Sequence, residues 1–356
     1  MKILHLPTSV GGNSHNLSIG ERALGFNSQT LVSFGNWLEY EADINLKLNQ
    51  LDKFTAITAL VKTFFKIRNN FDVFHFNYGS SLLHFPTKGL LQLDLPFYKS
   101  SSKKFVTYAG CDARQKYPTM TRTKIAACHN PKCYKSQCNS GFLDKQRKKS
   151  IEKMEKYVAH IWALNPDLLF FLPKEKSSFL PYSVISKKFN FELLNPQYPI
   201  KIVHAPTNRE AKGSAFILNS LYNLKEKYPN KIEILLVENI PHVQALELYK
   251  SADLFIDQIL IGWYGMVAVE AMMLGKPVIS RIAEENFQFI SKEMSEDIKN
   301  TIINADPFSI EHTIEKYIKE KDLLIHKSKM SRDFALKWHD SYAVSQITTK
   351  TYAGLT

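Results

Sequence analysis

The sequence lacks a long apolar run, and this absence excludes a helix that spans a membrane. No stretch approaches the roughly 18 consecutive apolar residues that a span requires. The first residues, 1–7, contain too short an apolar segment for a signal peptide. We therefore expect a cytoplasmic protein.

Two motifs are also missing. A strand predicted over residues 2–6 is followed by Gly11-Gly12 and a helix from Asn13 or Ser14, but without the G-x-G-x-x-G spacing of dinucleotide-binding enzymes. That absence argues against a nicotinamide or flavin enzyme, although two glycines let the backbone approach a ligand closely. No recognised nucleic-acid motif accompanies the positive charge, so we do not expect nucleic acid as a partner.

Cysteine is scarce, and the four cysteines all lie within 28 residues. A cytosolic location disfavours disulfides. Four thiolates can close a tetrahedral zinc site, although the intervening lengths of 16, 4 and 4 residues are looser than the usual C-x2-C knuckles. The cluster is compatible with a structural zinc or with four reduced thiols, and His129 could replace the first cysteine as a ligand. The four candidate ligands are Cys111, Cys128, Cys133 and Cys138.

Acidic residues are few, and the net charge is +12. Residues 99–157 hold 15 Lys and Arg against 4 Asp and Glu, which is nearly the whole excess. Such a surface favours phosphates, nucleic acid or anionic lipid. A basic helix predicted over residues 145–158 could place its lysines in solvent or against an anionic membrane surface. For a second helix, over residues 51–68, we prefer a core helix with a solvated face to a membrane-surface patch.

The length of 356 residues and the apolar content of 44% predict two α/β domains. We expect the first domain over residues 1–188, with a basic, cysteine-containing insertion at 111–148. A linker follows over 189–199. The second domain covers 200–335, and a last helix covers 336–356.

Residues 251–280 predict a phosphate-binding unit. Leu254–Ile256 is a short apolar run closed by a carboxylate, as in a buried parallel strand. A glycine turn and an Ala- and Met-rich helix follow, and the carboxylate of Glu270 within that helix could accept hydrogen bonds from sugar hydroxyls. The amides at the helix start suit a phosphate, and they belong to Gly265, Met266 and Val267. The alternative is an ordinary strand–helix–strand crossover with a surface glutamate.

The loop after the strand at 200–204 carries a second signal. Arg209 and Lys212 precede a helix that begins near Ser214. Two cations and a helix N-terminus at one point are what binding a diphosphate requires.

The stretch Gly-Met-Val-Ala-Val-Glu-Ala-Met-Met-Leu-Gly-Lys-Pro-Val-Ile at 265–279 resembles the nucleotide-binding signature of retaining glycosyltransferases with the GT-B fold, family 4 or group 1. The family pattern is Glu-Gly-Phe-Gly-Leu, three residues, then Glu-Ala. Its second glutamate matches Glu270, whereas its first falls on Gly262. The first glutamate normally lies near the donor sugar, so the departure concerns sugar recognition and leaves nucleotide binding intact.

The resemblance also assigns residues elsewhere. In the family an Arg and a Lys-Gly hold the nucleotide diphosphate, and they match Arg209 and Lys212-Gly213. The first glycine loop faces the donor phosphates and the acceptor, which makes Gly11, Gly12 and His15 candidates, although His15 could equally be a surface residue.

The family's His-Gly-Ser-Asp exit from a strand falls on residues 109–112, where Ala109 replaces the active-site histidine. Asp112 is retained. It could bind the acceptor, orient Arg114 or cap a helix.

The resemblance implies two Rossmann-like domains facing a central cleft, with the C-terminal helix crossing back to the first domain. It implies transfer of a sugar, with retention, from a nucleotide-diphosphate sugar to a glycan or lipid-linked acceptor in surface polysaccharide or glycoconjugate synthesis. Arg209, Lys212 and Glu270 would be the catalytic residues, and no catalytic cofactor would be needed. The basic flank suggests peripheral attachment to the inner face of the cytoplasmic membrane.

Two alternatives remain open at this point. The departures at Gly262 and Ala109 suit a non-catalytic, sugar-nucleotide-binding or scaffold relative. A sugar-nucleotide epimerase on the same fold would convert the donor without any acceptor.

Overall fold

The computed structural model describes residues 1–35, 38 and 40–354. The chain divides into two compact units, and elements are numbered along the chain. Unit 1 comprises Met1–Gln115, Gly141–Ile185 and Asp340–Thr356. Unit 2 comprises Lys116–Ser140 and Ser186–His339.

A parallel sheet forms the centre of unit 1. Its strands are β1 Lys2–Leu6, β2 Asn27–Val32, β3 Ile44–Asn45, β4 Val73–Asn77, β5 Lys103–Tyr108, β6 His160–Ala163 and β7 Ser177–Phe179. Their spatial order is β3-β2-β1-β4-β5-β6-β7, so the chain reverses its direction of growth between β1 and β4. Apolar runs such as that of β4, buried along its whole length, form these strands because both faces of the sheet are covered.

The helices of unit 1 are α1 Asn13–Ala23, α2 Lys53–Ile67, α4 Phe142–Glu155 and α12 Ser341–Ala353. Helix α2 begins where the Asp52 carboxylate accepts the amides of Phe54 and Thr55. Helix α12 packs on α1, so closely that a β-carbon on Gly20 would lie 2.2 Å from the carbonyl oxygen of Ser341.

A buried polar cluster ties α12 and β1 to α1. The carboxylate of Glu21 on α1 lies 2.8 Å from His5 Nε2 and accepts the hydroxyl of Thr348 at 3.3 Å. Both Glu21 and His5 are fully buried, so the hydrogen bonds offset the cost of removing them from water. The last helix thus belongs to the first unit, and its predicted final residues, Leu355 and Thr356, lie outside the described residues.

Unit 2 has a second parallel sheet. Its strands are β8 Ile200–His204, β9 Ile232–Leu236, β10 Leu254–Ile256, β11 Val278–Ser280 and β12 Ile303–Asn304. Their spatial order is β12-β11-β10-β8-β9, which places the reversal between β8 and β10. In open sheets of this kind, ligands bind beyond the carboxyl ends of the strands that flank the reversal.

The helices of unit 2 are α3 Lys116–Arg122, α5 Arg209–Lys212, α6 Ser214–Lys227, α7 His242–Lys250, α8 Met266–Met273, α9 Lys292–Thr301, α10 Ile310–Lys319 and α11 Leu323–His339. Gly275 ends the α8 region in the left-handed conformation (φ +73°), as its position before Pro277 predicts. Two parallel sheets covered by helices confirm the predicted α/β class with two Rossmann-like domains.

The segment 116–140 differs from expectation. The sequence predicts it within an insertion of the first domain, but the structure groups it with unit 2. Ala127 joins the apolar core of unit 2, and the carbonyl of Ile125 accepts a hydrogen bond of 3.0 Å from Arg281. The segment packs on unit 2 because burial of a few apolar residues there is favourable, although the segment lies between two parts of unit 1 in the sequence.

The units also begin and end at other residues than predicted. Unit 2 resumes at Ser186, before the expected linker at 189–199, and unit 1 resumes at Asp340 rather than at residue 336. In the described part of the chain, no helix combines the length and hydropathy needed to cross a bilayer.

Candidate functional site

The central cluster of unit 2 lies at the reversal of its sheet. His204 ends β8, and Asp257 directly follows β10. These are the two neighbouring strands between which the order of the sheet reverses. The sequence of unit 2 therefore brings two titratable side chains to the edge where parallel sheets bind ligands.

Asp257 joins the two signals that the sequence shows separately. One carboxylate oxygen accepts a hydrogen bond from Lys212 Nζ, and the other accepts the amide of Gly265 at 2.6 Å. Asp257 is buried, and Lys212 is nearly so. The structure thus brings Lys212 to the glycine turn that begins α8, as the diphosphate hypothesis requires.

Local backbone geometry explains why a Lys-Gly pair occupies this loop. The short helix α5 begins where the Asn208 side chain accepts the amide of Ala211 at 2.8 Å. It ends at Gly213, whose φ of +80° favours glycine. A β-carbon on Gly213 would lie 2.8 Å from a side-chain atom of Ile259, so the position is also crowded. The lysine is therefore held at the end of a helical turn whose direction is fixed.

Arg209 lies one turn before Lys212 on α5 and engages another residue. Its guanidinium donates to Glu238, with Nε 2.7 Å from Oε1. The contact raises the pKa of Arg209 and lowers that of Glu238, mainly through the hydrogen bond between the two side chains. Because the arginine side chain is 52% exposed, this pair contributes little to stability. Arg209 shares α5 with Lys212, but its observed ion pair is with Glu238.

The start of α8 presents backbone amides, although one of the predicted three is engaged. The Gly265 amide donates to Asp257, whereas Met266 and Val267 occupy the first helical positions, where amides have no partner within the helix. The amides of Met266 and Val267, two of the three predicted, thus make no hydrogen bond within the helix and are suited to an anion.

Glu270 lies in the next turn of α8 and is 4% exposed. Its Oε1 lies 2.8 Å from Nε2 of His242, the first residue of α7. Its Oε2 is buried without a hydrogen-bond partner. A buried carboxylate oxygen without a donor is costly, so a ligand hydroxyl that donated to it would be bound favourably.

His204 connects the strands and the helix next to this cluster through two hydrogen bonds. Its Nδ1 lies 2.8 Å from the carbonyl oxygen of Ile256, so this nitrogen carries the proton, and Nε2 accepts the hydroxyl of Ser214 at 2.8 Å. Burial lowers the pKa of His204 to about 4. A neutral histidine therefore holds β8, β10 and α6 together without adding charge beside Lys212.

Gly262, which replaces the first glutamate of the family pattern, has a φ of +88°. A β-carbon there would lie 3.0 Å from the β-carbon of Ala283, and its carbonyl accepts the amide group of Asn286 at 2.8 Å. The departure is thus accompanied by a local turn that a glutamate would strain.

The predicted residues of unit 1 lie after β1. Gly11 and Gly12 have φ values of +61° and +72°, and a β-carbon on Gly12 would approach the ring of Tyr40 at 3.1 Å. His15 is buried in the first turn of α1, where its Nε2 lies 3.4 Å from a carboxylate oxygen of Glu41. The histidine is therefore not the surface residue that the alternative interpretation assumed.

A cavity of about 520 Å³ lies beside this loop in unit 1. Ser9 and Asn45 belong to its lining, and Phe34 and Tyr40 supply aromatic surface. Hydroxyl, amide and aromatic groups together suit a neutral polar ligand such as a sugar ring.

Asp112 accepts hydrogen bonds from backbone amides of its own loop. Its carboxylate accepts the amides of Ala109 at 3.0 Å and Gly110 at 2.6 Å. Burial raises its pKa to about 6, against the lowering by these amides. Arg114 donates to Asp167 through Nε at 2.6 Å and through a second nitrogen at 2.9 Å. The orientation of Arg114 is therefore provided by Asp167. Asp112 accepts amides that precede it in the chain, so it does not act as the helix cap that the sequence also allowed.

The four cysteines are reduced and partly exposed. Cys111 belongs to unit 1, whereas Cys128, Cys133 and Cys138 belong to unit 2. Throughout residues 1–35, 38 and 40–354, no three His, Cys, Asp or Glu side chains form a group that could hold a metal ion. This arrangement does not fit the zinc site that the sequence suggested, and metal analysis of the purified protein is the test.

Sequence reasoning missed four partners of the site: His204, Glu238, His242 and Asp257. The carboxylate that closes the apolar run of β10 was visible as a signal for Asp257. His204 and Glu238 likewise lie at or just after the ends of parallel strands, where the topology of the sheet places ligand sites. His242 carried no such signal, because its contact with Glu270 joins residues 28 positions apart.

Comparison with known proteins relates part of unit 2 to a known family. Residues 218–323 match the family model described as glycosyl transferases group 1. A comparison with curated protein sequences gave no match.

Solved structures resemble the whole chain. A sucrose-phosphate synthase from Thermosynechococcus elongatus has a TM-score of 0.65 at 15% identity, covering 100% of this chain and 99% of its own. HepE of Anabaena, in complex with UDP-glucose, has a TM-score of 0.61 at 10% identity and covers 100% of both chains. WaaG, a glycosyltransferase involved in lipopolysaccharide biosynthesis, has a TM-score of 0.57 at 12% identity, covering 99% of this chain and 100% of its own.

The solved structures establish the fold, and the family match covers α7 and α8 and thus most of the donor signature. Residues 218–323 therefore match the group 1 glycosyltransferases, and the chain as a whole has the GT-B fold.

Proposed function

We propose that the protein transfers a sugar, with retention, from a nucleoside diphosphate sugar to a glycan or lipid-linked acceptor. One observation carries the proposal: Asp257 holds Lys212 beside the amide end of α8, one turn before the buried carboxylate of Glu270. A cation, free amides and a hydroxyl acceptor follow one another at the edge of one sheet. That sequence of groups matches the diphosphate and ribose of a nucleotide.

Each group has a distinct part in the proposed reaction. Lys212 and the amides of Met266 and Val267 stabilise the charge that builds on the diphosphate as the sugar leaves. Arg209 adds a second cation by exchanging Glu238 for phosphate, a small cost for an exposed ion pair. Glu270 accepts a ribose hydroxyl through Oε2, while His242 holds Oε1. No step in this scheme needs a metal ion.

Uridine is the base that we propose to test first. HepE is described in complex with UDP-glucose, and another similar structure, an alpha-glucosyltransferase, also holds UDP-glucose. Retention is proposed from the resemblance of residues 265–279 to the signature of retaining enzymes.

The acceptor is proposed to bind unit 1 beside Gly11, Gly12 and His15. The adjoining cavity, with its hydroxyl, amide and aromatic groups, supports a sugar as the group that is recognised. Asp112 has a weaker claim because its carboxylate is occupied by backbone amides. A role in surface polysaccharide or glycoconjugate synthesis follows from such an acceptor.

A thermal-shift and calorimetric titration with UDP, UDP-glucose and other nucleoside diphosphate sugars tests the donor site. Arg209→Ala should weaken binding about tenfold, because a charge-assisted hydrogen bond to phosphate contributes about 1.5 kcal/mol or more. Glu270→Gln should weaken nucleoside binding but leave the affinity for inorganic diphosphate unchanged, since the carboxylate faces the ribose in this proposal.

Arg22→Ala is the matched control, because Arg22 forms a partly exposed ion pair with Asp43 in unit 1, at 3.0 Å. It should bind donor like the parent protein. Equal affinity in the Arg209, Glu270 and Arg22 variants would contradict the assignment of the site. Sugar-nucleotide turnover with an acceptor supports transfer, whereas conversion of the donor sugar without acceptor would indicate an epimerase.

A further inference from the structure

Helix α2 of unit 1 exposes an apolar stripe. Phe54 is 80% exposed and Phe65 is 60% exposed, with Ile57 and Val61 between them also exposed. Their spacing of three, four and four residues places all four side chains along one face of the helix. The stripe extends for about 17 Å at 1.5 Å per residue. We call Phe54, Ile57, Val61 and Phe65 the α2 stripe.

The stripe is separate from the face that α2 buries. Leu60, Phe64 and Ile67 face the core of the unit, and Phe64 packs edge-on against Tyr98 at 5.3 Å between ring centroids. The helix is therefore held in place without its outer apolar residues. The helix packs on the core and has a solvated face, as the sequence predicted for residues 51–68, but that solvated face carries the four apolar residues as well as lysines.

Charge of one sign flanks the α2 stripe. Residues 53–68 contain four basic residues and no acidic one. Lys53, Lys62 and Lys66 are exposed, and the guanidinium carbon of Arg68 lies 4.9 Å from the centre of the Phe65 ring. The carboxylate of Asp52, directly before the helix, accepts backbone amides as the helix cap.

The chain that passes the end of α2 continues this surface. The Lys99 amide donates to the carbonyl of Arg68 at 3.1 Å, which places Lys99 beside the last turn. Phe97, two residues before it, is 61% exposed. A third exposed aromatic residue and a further exposed lysine therefore lie next to the α2 stripe.

We propose that the α2 stripe docks unit 1 onto an anionic lipid surface. An amphipathic helix of this kind lies in the plane of the membrane, with aromatic and aliphatic side chains among the acyl chains and lysines at the headgroups. Each lysine near an anionic surface adds to the attraction. A second copy of the chain is a poor occupant of the same face, because it would bring another four cations against the first four. We favour a membrane over an acidic protein as the partner, because the headgroup region of a membrane can accept the projecting apolar side chains of the α2 stripe.

Co-sedimentation of the full-length protein with vesicles tests the proposal. The protein should bind vesicles of phosphatidylcholine with about 30% phosphatidylglycerol and bind pure phosphatidylcholine much more weakly, with a loss of binding at high salt. Phe54→Ser combined with Phe65→Ser should reduce partitioning by about tenfold or more. Lys62→Gln combined with Lys66→Gln should reduce it by a similar factor, since each charge contributes several-fold.

Phe308→Ser is the matched control, because Phe308 is 88% exposed in unit 2 and lies beside acidic rather than basic residues. It should bind vesicles like the parent protein. All of these variants alter exposed side chains, and unchanged circular dichroism and donor binding would show that they are folded.

Three outcomes would overturn the proposal: equal binding to neutral vesicles, unchanged binding of the double phenylalanine variant, or concentration-dependent self-association that the same variant abolishes. None of these outcomes depends on the nucleotide, so a failure here leaves the donor site of unit 2 unaffected.

Discussion

Asp257 is the residue on which the geometry of the donor site depends. It is buried, and its two oxygens connect Lys212 on one loop with Gly265 on another. A buried carboxylate is tolerated when both oxygens are hydrogen-bonded and a cation balances its charge. We therefore assign Asp257 a positioning role, because its two carboxylate oxygens orient the lysine and the helix start.

Asp257→Asn tests this role. The amide keeps the size of the side chain but removes the charge that balances buried Lys212, so we expect a loss of roughly 3 to 5 kcal/mol in the free energy of unfolding. Chemical denaturation measures it. Glu247→Gln, which breaks the exposed pair with Lys250, should cost no more than about 1 kcal/mol. Similar losses in the two variants would argue against the special role of Asp257.

At the scale of elements, the contact between α1 and α12 attaches the end of the chain to unit 1. Gly20 permits this contact, because any β-carbon there would lie 2.2 Å from the Ser341 carbonyl oxygen and 2.4 Å from Ser345 Oγ. The obstacle is partly backbone, which cannot move aside as a flexible side chain could. A small residue in the middle of α1 thus decides whether α12 can pack.

Gly20→Ala should therefore destabilise the protein even though alanine is the better helix former. We expect a loss of about 1 to 3 kcal/mol from overpacking, measured by thermal or urea denaturation. Gly110→Ala is the control, because the nearest atom to its β-carbon would be an arginine nitrogen 3.9 Å away. A stabilised Gly20→Ala variant would show that α12 does not pack on α1 as described.

The cysteine-containing segment gives a second prediction at this scale. Its attachment to unit 2 rests on Ala127 in the core and on the hydrogen bond from Arg281 to Ile125, which do not involve the cysteines. We therefore expect protein purified without chelator to contain less than about half an equivalent of zinc, and its fold to resist chelator. Stoichiometric zinc, measured by elemental analysis, would restore the hypothesis of a metal site.

At the scale of the whole molecule, buried histidines set the response to acid. His204 in unit 2 and His84 in unit 1 both have a pKa lowered to about 4, in each case mainly by burial. The unfolded chain takes up protons near the ordinary pKa of 6.5, whereas the folded chain does so only near 4. The contribution of these two histidines to stability is therefore fully present above pH 6.5 and is lost as the pH falls toward 4. Asp112, whose pKa is raised to about 6, acts in the opposite direction.

His204→Gln isolates one of these contributions. Its free energy of unfolding should fall less steeply than that of the parent protein between pH 6.5 and 4, by at most roughly 3 kcal/mol over the interval. Urea titrations at several pH values measure the slopes. His312, exposed on α10, provides the control, and His312→Gln should keep the parental slope. Parallel curves for the His204 variant and the parent protein would show that burial of His204 does not govern the response.

The sequence by itself determined where several strands and helices form, and it predicted which side chains lie on the loops of the proposed donor site. The predicted strand at Leu254–Ile256 has the observed bounds, and α2 begins two residues later and ends one residue earlier than the helix predicted over residues 51–68. Such agreement has a physical cause, since apolar periodicity, caps and glycine stops act between residues close in the chain. Arg209, Lys212 and Glu270 could be predicted as donor-site residues for the same reason, because each belongs to a short local pattern, and their roles stay a prediction.

Only the tertiary structure decided which of these residues meet and which faces are left exposed. The partners of Lys212 and Glu270 lie 45 and 28 positions away, and the grouping of residues 116–140 with unit 2 depends on a few buried contacts. The apolar residues of the α2 stripe could be read from the sequence, but their periodicity could not show whether they face the core or the solvent. Burial depends on what packs against a segment, and that is a property of the folded chain rather than of the segment.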